Sequence, residues 1–161
     1  MSELVFIGPS GAGKTRIGKR VARMLGVPFT DTDSLVMEQY GPIPAIFREH
    51  GEPHFRALER LAVERGLANE GVLSLGGGAV LDAHTQADLI EHRVVLLTIT
   101  PEAVEPRLGG DRPLVKNGLS DWIALNAPRW ETYDRLADVT FDTSFRASDE
   151  IAEEVAAWAR T

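Results

Sequence analysis

The chain has no cysteine among its 161 residues, which excludes disulfides, thiolate metal sites and cysteine nucleophiles and fits a reducing compartment. It also lacks any basic run that could track a nucleic-acid backbone. The balance is acidic, with 24 Asp and Glu against 17 Lys and Arg and a formal net charge of −7, so nucleic acid is not an expected partner. No apolar stretch approaches the roughly 20 residues of a membrane span. The start, Met1-Ser2-Glu3-Leu4, shows neither the basic region nor the long apolar run of a secretory signal. The expectation is a cytoplasmic protein with no membrane partner. An anionic substrate would meet a repelling overall field, so it must be held by a few local arginines and backbone N–H groups in a cationic island. Hydrophobic residues make up 43% of the chain, enough for a core, and the length suits one domain. No internal repeat or low-complexity segment is visible.

The order of elements reads as α/β. Leu4 to Ile7 is a continuous apolar run, as in a buried parallel strand, and it feeds a glycine-rich segment and then a helix from about Gly13 to Leu25 with Gly26 as its C-cap. A short strand over Val27 to Phe29 leads into Thr30-Asp31-Thr32-Asp33. Ser34 to Tyr40 and Ile43 to His50 read as short helices broken by Gly41-Pro42, followed by a longer amphipathic helix to about Asn69. Strands are expected at Val72 to Leu75 and Val94 to Ile99, with a helix between them near Thr85 to Glu91. A further helix begins near Pro101. Gly109-Gly110-Asp111-Arg112-Pro113 is polar and turn-rich, the composition of a mobile lid. A helix over Asp121 to Leu136, interrupted or entered at Pro128, a strand over Val139 to Phe141 and a terminal helix over Ser148 to Arg160 complete the chain. Strands alternating with helices imply a parallel sheet covered on both faces.

Gly8-Pro9-Ser10-Gly11-Ala12-Gly13-Lys14-Thr15 satisfies G-x-x-x-x-G-K-[ST] between a strand and a helix, the context that pattern requires. Glycines let the backbone curl so that successive N–H groups and the helix N-terminus face phosphate oxygens. Lys14 offers a charge to the β and γ phosphates, and the Thr15 hydroxyl can bind Mg²⁺. The motif implies a bound nucleoside triphosphate and leaves the acceptor open. Asp31 and Asp33 are two apart; on an extended strand end both would point to one side, one toward a metal-bound water and the other toward an acceptor hydroxyl. Helix capping by Asp33 is the structural alternative. Gly76-Gly77-Gly78 follows a strand, at the sheet edge where open α/β folds bind ligands, and bare backbone there allows close approach. Arg56, taken alone, reads as a solvated face residue; Arg112 and Arg129, taken alone, fit ion pairs and ligand contacts equally well. His50 and His54 have zinc-pair spacing, but Gly51 and Pro53 break the helix that would align them.

Together these segments resemble the shikimate kinase family over nearly the whole chain. The resemblance rests on the P-loop, Asp31-Thr32-Asp33, Gly51-Glu52 followed by Phe55-Arg56 and Glu59, Gly76-Gly77-Gly78, Arg112-Pro113-Leu114, and Arg129 followed by Tyr133. It implies a three-layer P-loop fold of nucleoside monophosphate kinase type: a five-stranded parallel sheet of order 2-3-1-4-5 flanked by helices. One kinase domain would span 1–161, with the P-loop at 8–15, an acceptor-binding region at about 31–61 and a mobile lid at about 109–119. It further implies ATP-dependent phosphorylation of the 3-hydroxyl of shikimate in aromatic amino acid biosynthesis, by a protein that acts as a monomer. Lys14, Asp33 and Arg112 would be catalytic. ATP would meet Gly11, Ala12, Gly13, Lys14, Thr15, Arg16, Arg107, Arg112 and Arg146; shikimate would meet Asp33, Arg56, Gly76, Gly77, Gly78 and Arg129. Thr15 and, through water, Asp31 would hold Mg²⁺. Three departures stand out: in Gly41-Pro42-Ile43-Pro44, proline where Ser or Thr usually precedes the isoleucine; Arg16 where Thr is common; and a short segment between the lid and Arg129. A kinase of another hydroxylated acid such as gluconate, or a non-enzymatic nucleotide-binding module, are the alternatives.

Overall fold

In the computed structural model, residues 2–110 and 112–161 are described; Met1 and Asp111, the latter within the expected lid, lie outside them. Five strands, β1 (Ser2–Ile7), β2 (Phe29–Asp31), β3 (Gly71–Ser74), β4 (Val94–Thr98) and β5 (Val139–Asp142), form one sheet of order β2-β3-β1-β4-β5. All four pairings are parallel, which matches the expected order. The helices are α1 (Lys14–Leu25), α2 (Thr32–Tyr40), α3 (Ile43–His50), α4 (Glu52–Ala68), α5 (Ala83–Leu89), α6 (Pro101–Val104), α7 (Leu119–Asn126), α8 (Trp130–Leu136) and α9 (Ser148–Ala159).

The central strand explains the three layers. Side chains alternate across a strand. Leu4 and Phe6 enter a core with Ile17 and Val21 of α1 and Ile151 and Val155 of α9. Val5 and Ile7 enter the opposite core with Val63 and Leu67 of α4 and Leu89 of α5. All four strand residues are at most 1% exposed. Where a strand is buried on both faces it must be apolar, as β1 is from Leu4 to Ile7 after the polar start Ser2-Glu3, and each such side chain contributes roughly 1.5–3 kcal/mol. A third cluster, Val36, Ile46, Phe55, Leu58 and Ala62, joins α2, α3 and α4 into a small wall beside the sheet edge.

One boundary differs from expectation in a way that matters for the site. The second strand lies at Phe29–Asp31 rather than Val27 to Phe29, and α2 starts at once at Thr32. The helix expected over 121–136 is interrupted at Pro128 as its sequence implied: a 3-10 turn over Ala127–Arg129 joins α7 to α8. Between Gly109 and Gly118 the described residues carry no helix or strand, and Val115 joins this stretch to the core.

Candidate active site

The P-loop follows β1 directly. Its turn needs the left-handed region, where Gly8, Gly11 and Gly13 sit at φ of 141, 88 and 95°, conformations that side chains oppose. A β-carbon on Gly8 would also collide with the Leu97 carbonyl oxygen. The loop carbonyls are taken up from behind. Gly8 O accepts from Lys14 Nζ at 2.5 Å, Ser10 O from Trp122 Nε1 at 3.0 Å, Gly11 O from Arg107 Nη1 at 2.9 Å and Ala12 O from Thr143 Oγ1 at 2.7 Å. Pro9 O accepts from Lys14 Nζ at 3.1 Å and Gly13 O from the Ile17 N–H at 2.8 Å. The Ala12 N–H also donates to Pro9 O at 3.3 Å; with the carbonyls engaged, the remaining N–H groups of the loop and of the first turn of α1 suit an anion. They border a cavity of 450 Å³ whose wall includes Gly11 to Arg16, Asp31, Asp33, Arg107 and Arg146. Lys14 is 9% exposed, and burial pushes its pKa down to about 8 against the opposing pull of Asp33 and Asp31.

The carboxylates correct one expectation. Asp31 and Asp33 do not share an extended strand end. Asp31 closes β2 and caps α2, its Oδ1 accepting from the N–H groups of Asp33 at 2.9 Å and Ser34 at 3.4 Å, while Asp33 lies in the first helical turn. Capping is thus real, but by Asp31: its carboxylate satisfies the free N–H groups and starts the helix two residues early. Both carboxylates still line the nucleotide cavity. The other oxygen of Asp31, Oδ2, accepts from Thr15 Oγ1 at 2.6 Å. Burial raises Asp33 to about 6, helped by Asp31 and Glu59 and opposed by Lys14 and Arg56. Thr32, fully buried, accepts the Gly76 N–H at 3.0 Å and so ties the α2 start to the glycine turn after β3.

A second cavity, of 360 Å³, shares Ser10, Asp33, Gly76 and Gly77 with the first. Arg56 and Arg129 line it, as do Gly78 and, from the lid stretch, Arg112. Arg56 is no solvated residue: Nη1 donates to Glu59 at 2.7 Å, and Nε and Nη2 donate to Glu52 at 3.3 and 3.2 Å. Burial opposes its charge, but Glu59 and Glu52 outweigh burial and raise its pKa further. Glu59 is 3% exposed, and burial raises its own pKa despite Arg56. Arg129 is 4% exposed and forms no ion pair among the described residues. Every arginine expected at the site is therefore on a cavity wall, with differences of role. Arg112 is held by the Gly109 and Arg107 carbonyls at 3.0 and 3.4 Å and faces the second cavity. Arg146 is paired with Glu150 and Glu154.

Sequence reasoning assigned no role to Glu59, Trp122, Tyr133 or Thr143. The i, i+3 spacing of Arg56 and Glu59 on one helix was a usable signal for their pairing. Tyr133 was marked only as the partner of Arg129 in the family motif, and nothing local marked Trp122 or Thr143.

The family model for shikimate kinase matches residues 10–160. A shikimate kinase of Salinispora arenicola is 46% identical over 158 residues, 95% of each chain. The structure of an Acinetobacter baumannii shikimate kinase in complex with shikimate superposes with a TM-score of 0.89 at 32% identity, over 94% of this chain and 89% of that one. A gluconokinase of Sinorhizobium meliloti superposes at a TM-score of 0.61 with 20% identity, over 99% of this chain and 91% of that one, a likeness of fold alone. Matched along nearly its full length by sequence and by architecture, with paired cavities meeting at one carboxylate, the chain belongs to the shikimate kinase family.

Proposed function

We propose that this chain transfers the γ-phosphoryl group of ATP to the 3-hydroxyl of shikimate, giving shikimate 3-phosphate and ADP in aromatic amino acid biosynthesis. One observation carries the reading: Asp33 stands in the wall shared by a phosphate-binding cavity and a cavity that presents two arginines. A single domain of 1–161 would do the whole reaction, with 8–15 for the nucleotide, about 31–61 for the acceptor and about 109–119 as a lid.

Phosphoryl transfer has a loose, charge-spread transition state, so alignment and electrostatics do the work. The loop N–H groups and Lys14 hold the phosphates, with Gly11, Ala12, Gly13 and Thr15 forming the cradle and Arg16, Arg107 and Arg146 its outer wall. Arg56 and Arg129 clamp the acceptor carboxylate, a task that suits planar guanidinium forks, while Gly76, Gly77 and Gly78 let the ring approach. Asp33 accepts the hydroxyl proton as the new O–P bond forms; the bond to the β–γ bridging oxygen breaks and ADP leaves. A carboxylate with a pKa of about 6 is ionised at neutral pH and basic enough to take that proton. Arg112 closes over the transferring group with the lid, which keeps water from competing. Thr15 and Asp31 place two hard oxygen donors side by side next to Lys14, the donor chemistry Mg²⁺ takes; these two would hold it. When bound, the ion neutralises charge on the β and γ phosphates. No helix of the described residues is long and apolar enough to cross a membrane; the proposed reading is of a monomer working in the cytoplasm, with shikimate and ATP as its ligands.

The test is ADP release from Mg-ATP with shikimate, gluconate or no acceptor. Release that depends on shikimate is expected. Gluconate-dependent release would move the protein to that acceptor, and acceptor-independent behaviour in protein that binds ATP would point to the non-enzymatic module.

A further inference from the structure

Tyr133 is 0% exposed, within the core that contains Val5, Ile7 and Leu73. Filling that space needs only a ring, and burying a phenol oxygen there is unfavourable unless it finds partners. It finds one beside a cation, and both belong to the acceptor cavity. The hydroxyl donates to the Gly77 carbonyl at 2.5 Å and lies close enough to the Arg129 guanidinium to interact with its charge. Burial raises the phenol to about 12, so the donor is present throughout the working range of pH.

The partners explain why the position matters. Arg129 is a buried cation without a carboxylate partner among the described residues, so its orientation is not set by an ion pair. Gly77 packs in the shared wall: a β-carbon there would be in ordinary contact with the Ser10 nitrogen at 3.5 Å, Gly8 O at 3.6 Å and Arg129 Nη1 at 3.7 Å. The Tyr133 ring is itself fixed, edge-on to Trp130 at 5.7 Å and 69°, and Trp130 is edge-on to Trp122 at 6.3 Å and 66°. The phenol oxygen is therefore a rigid post from which both the arginine and the glycine turn are hung.

The geometry points to the Tyr133 hydroxyl as a positioning residue for acceptor binding: it aims the unpaired guanidinium of Arg129 at the carboxylate of the acceptor and holds the Gly77 turn at the matching distance. This rests on the proposed reaction. Tyr133→Phe keeps the ring, its burial and its contact with Trp130 and removes only the hydroxyl, with its bond to Gly77 and its interaction with Arg129. The expected result is a KM for shikimate raised roughly tenfold, a KM for ATP within about twofold of wild type, and a thermal midpoint within a few degrees. A second readout separates aiming from general loosening. Wild type should prefer shikimate over its carboxamide analogue, and the variant should lose the part of that preference that Arg129 supplies while Arg56 keeps the rest, because the carboxylate is the one acceptor group Arg129 contacts. An unchanged KM for shikimate, parallel rises for both substrates, or an equal loss toward acid and amide would each overturn the assignment. Wild-type protein without shikimate-dependent ADP release would instead refute the reaction itself.

Discussion

The guanidinium of Arg56 fills the space a side chain at Gly78 would need: a β-carbon added there would stand 2.5 Å from Nη2, 2.6 Å from Nη1 and 2.7 Å from Cζ. Gly78 itself sits at φ −96° and ψ 0°, a conformation that any residue adopts, so the glycine is required by the neighbour and not by the backbone. Arg56 cannot simply swing away, because Glu52 and Glu59 hold it from two sides. Gly78→Ala should fold and bind ATP normally while pushing the guanidinium out of line. A rise of about tenfold or more in the KM for shikimate, with the KM for ATP unchanged, is expected from steady-state kinetics with each substrate varied in turn. If the KM for shikimate stayed at the wild-type value, Arg56 would not be the carboxylate clamp.

Thr143, just beyond β5, illustrates how one element supports another across the sheet. Its hydroxyl donates to Ala12 O at 2.7 Å and stands 3.1 Å from Thr98 O, and it is 2% exposed. Thr143→Val preserves shape and strands the Ala12 carbonyl, which should lower unfolding free energy by about 1–3 kcal/mol. The P-loop would lose one of its back supports, so the KM for ATP should rise severalfold while that for shikimate holds; lost stability with unaltered nucleotide affinity would show the loop to be shaped without this bond. The same contact marks the limit of what the amino-acid order reveals. The P-loop was legible because phosphate binding demands glycine, lysine and threonine at fixed local spacing. The strands were legible because residues such as Leu4 to Ile7 must be apolar in every position. Asp31 and Asp33 were legible as a pair but not in geometry, since whether a strand ends one residue earlier or later depends on which carboxylate wins the helix N–H groups. The partners of Thr143, Trp122 and Tyr133 lie 131, 112 and 56 residues away, and no local pattern encodes a tertiary partner at such separations.

At the scale of the whole molecule, the two apolar cores stabilise the fold while the edge of the sheet carries charges that oppose it. Asp33 has a pKa of about 6 against an ordinary value of 3.8, so between those values the folded chain binds more protons than the unfolded one and stability falls as pH rises. Above pH 6 the full cost is present; about two units at 1.36 kcal/mol each put it at about 3 kcal/mol. Lys14 has the opposite sign. Its pKa of about 8 against 10.5 means that the folded chain binds fewer protons between those values, so stability rises as pH climbs through that window. At neutral pH both groups are charged and both costs stand, a stability sacrifice that phosphate and acceptor binding relieve. Asp33→Asn removes the acidic half of that cost. Denaturant unfolding at pH 7 should show the variant more stable by about 2–3 kcal/mol, and the difference should vanish below about pH 4, where wild-type Asp33 is protonated as well. Turnover should fall at least about a hundredfold with ATP affinity nearly unchanged. A variant less stable than wild type at pH 7 would mean that Asp33 supports the fold; undiminished turnover would mean that the hydroxyl proton goes elsewhere.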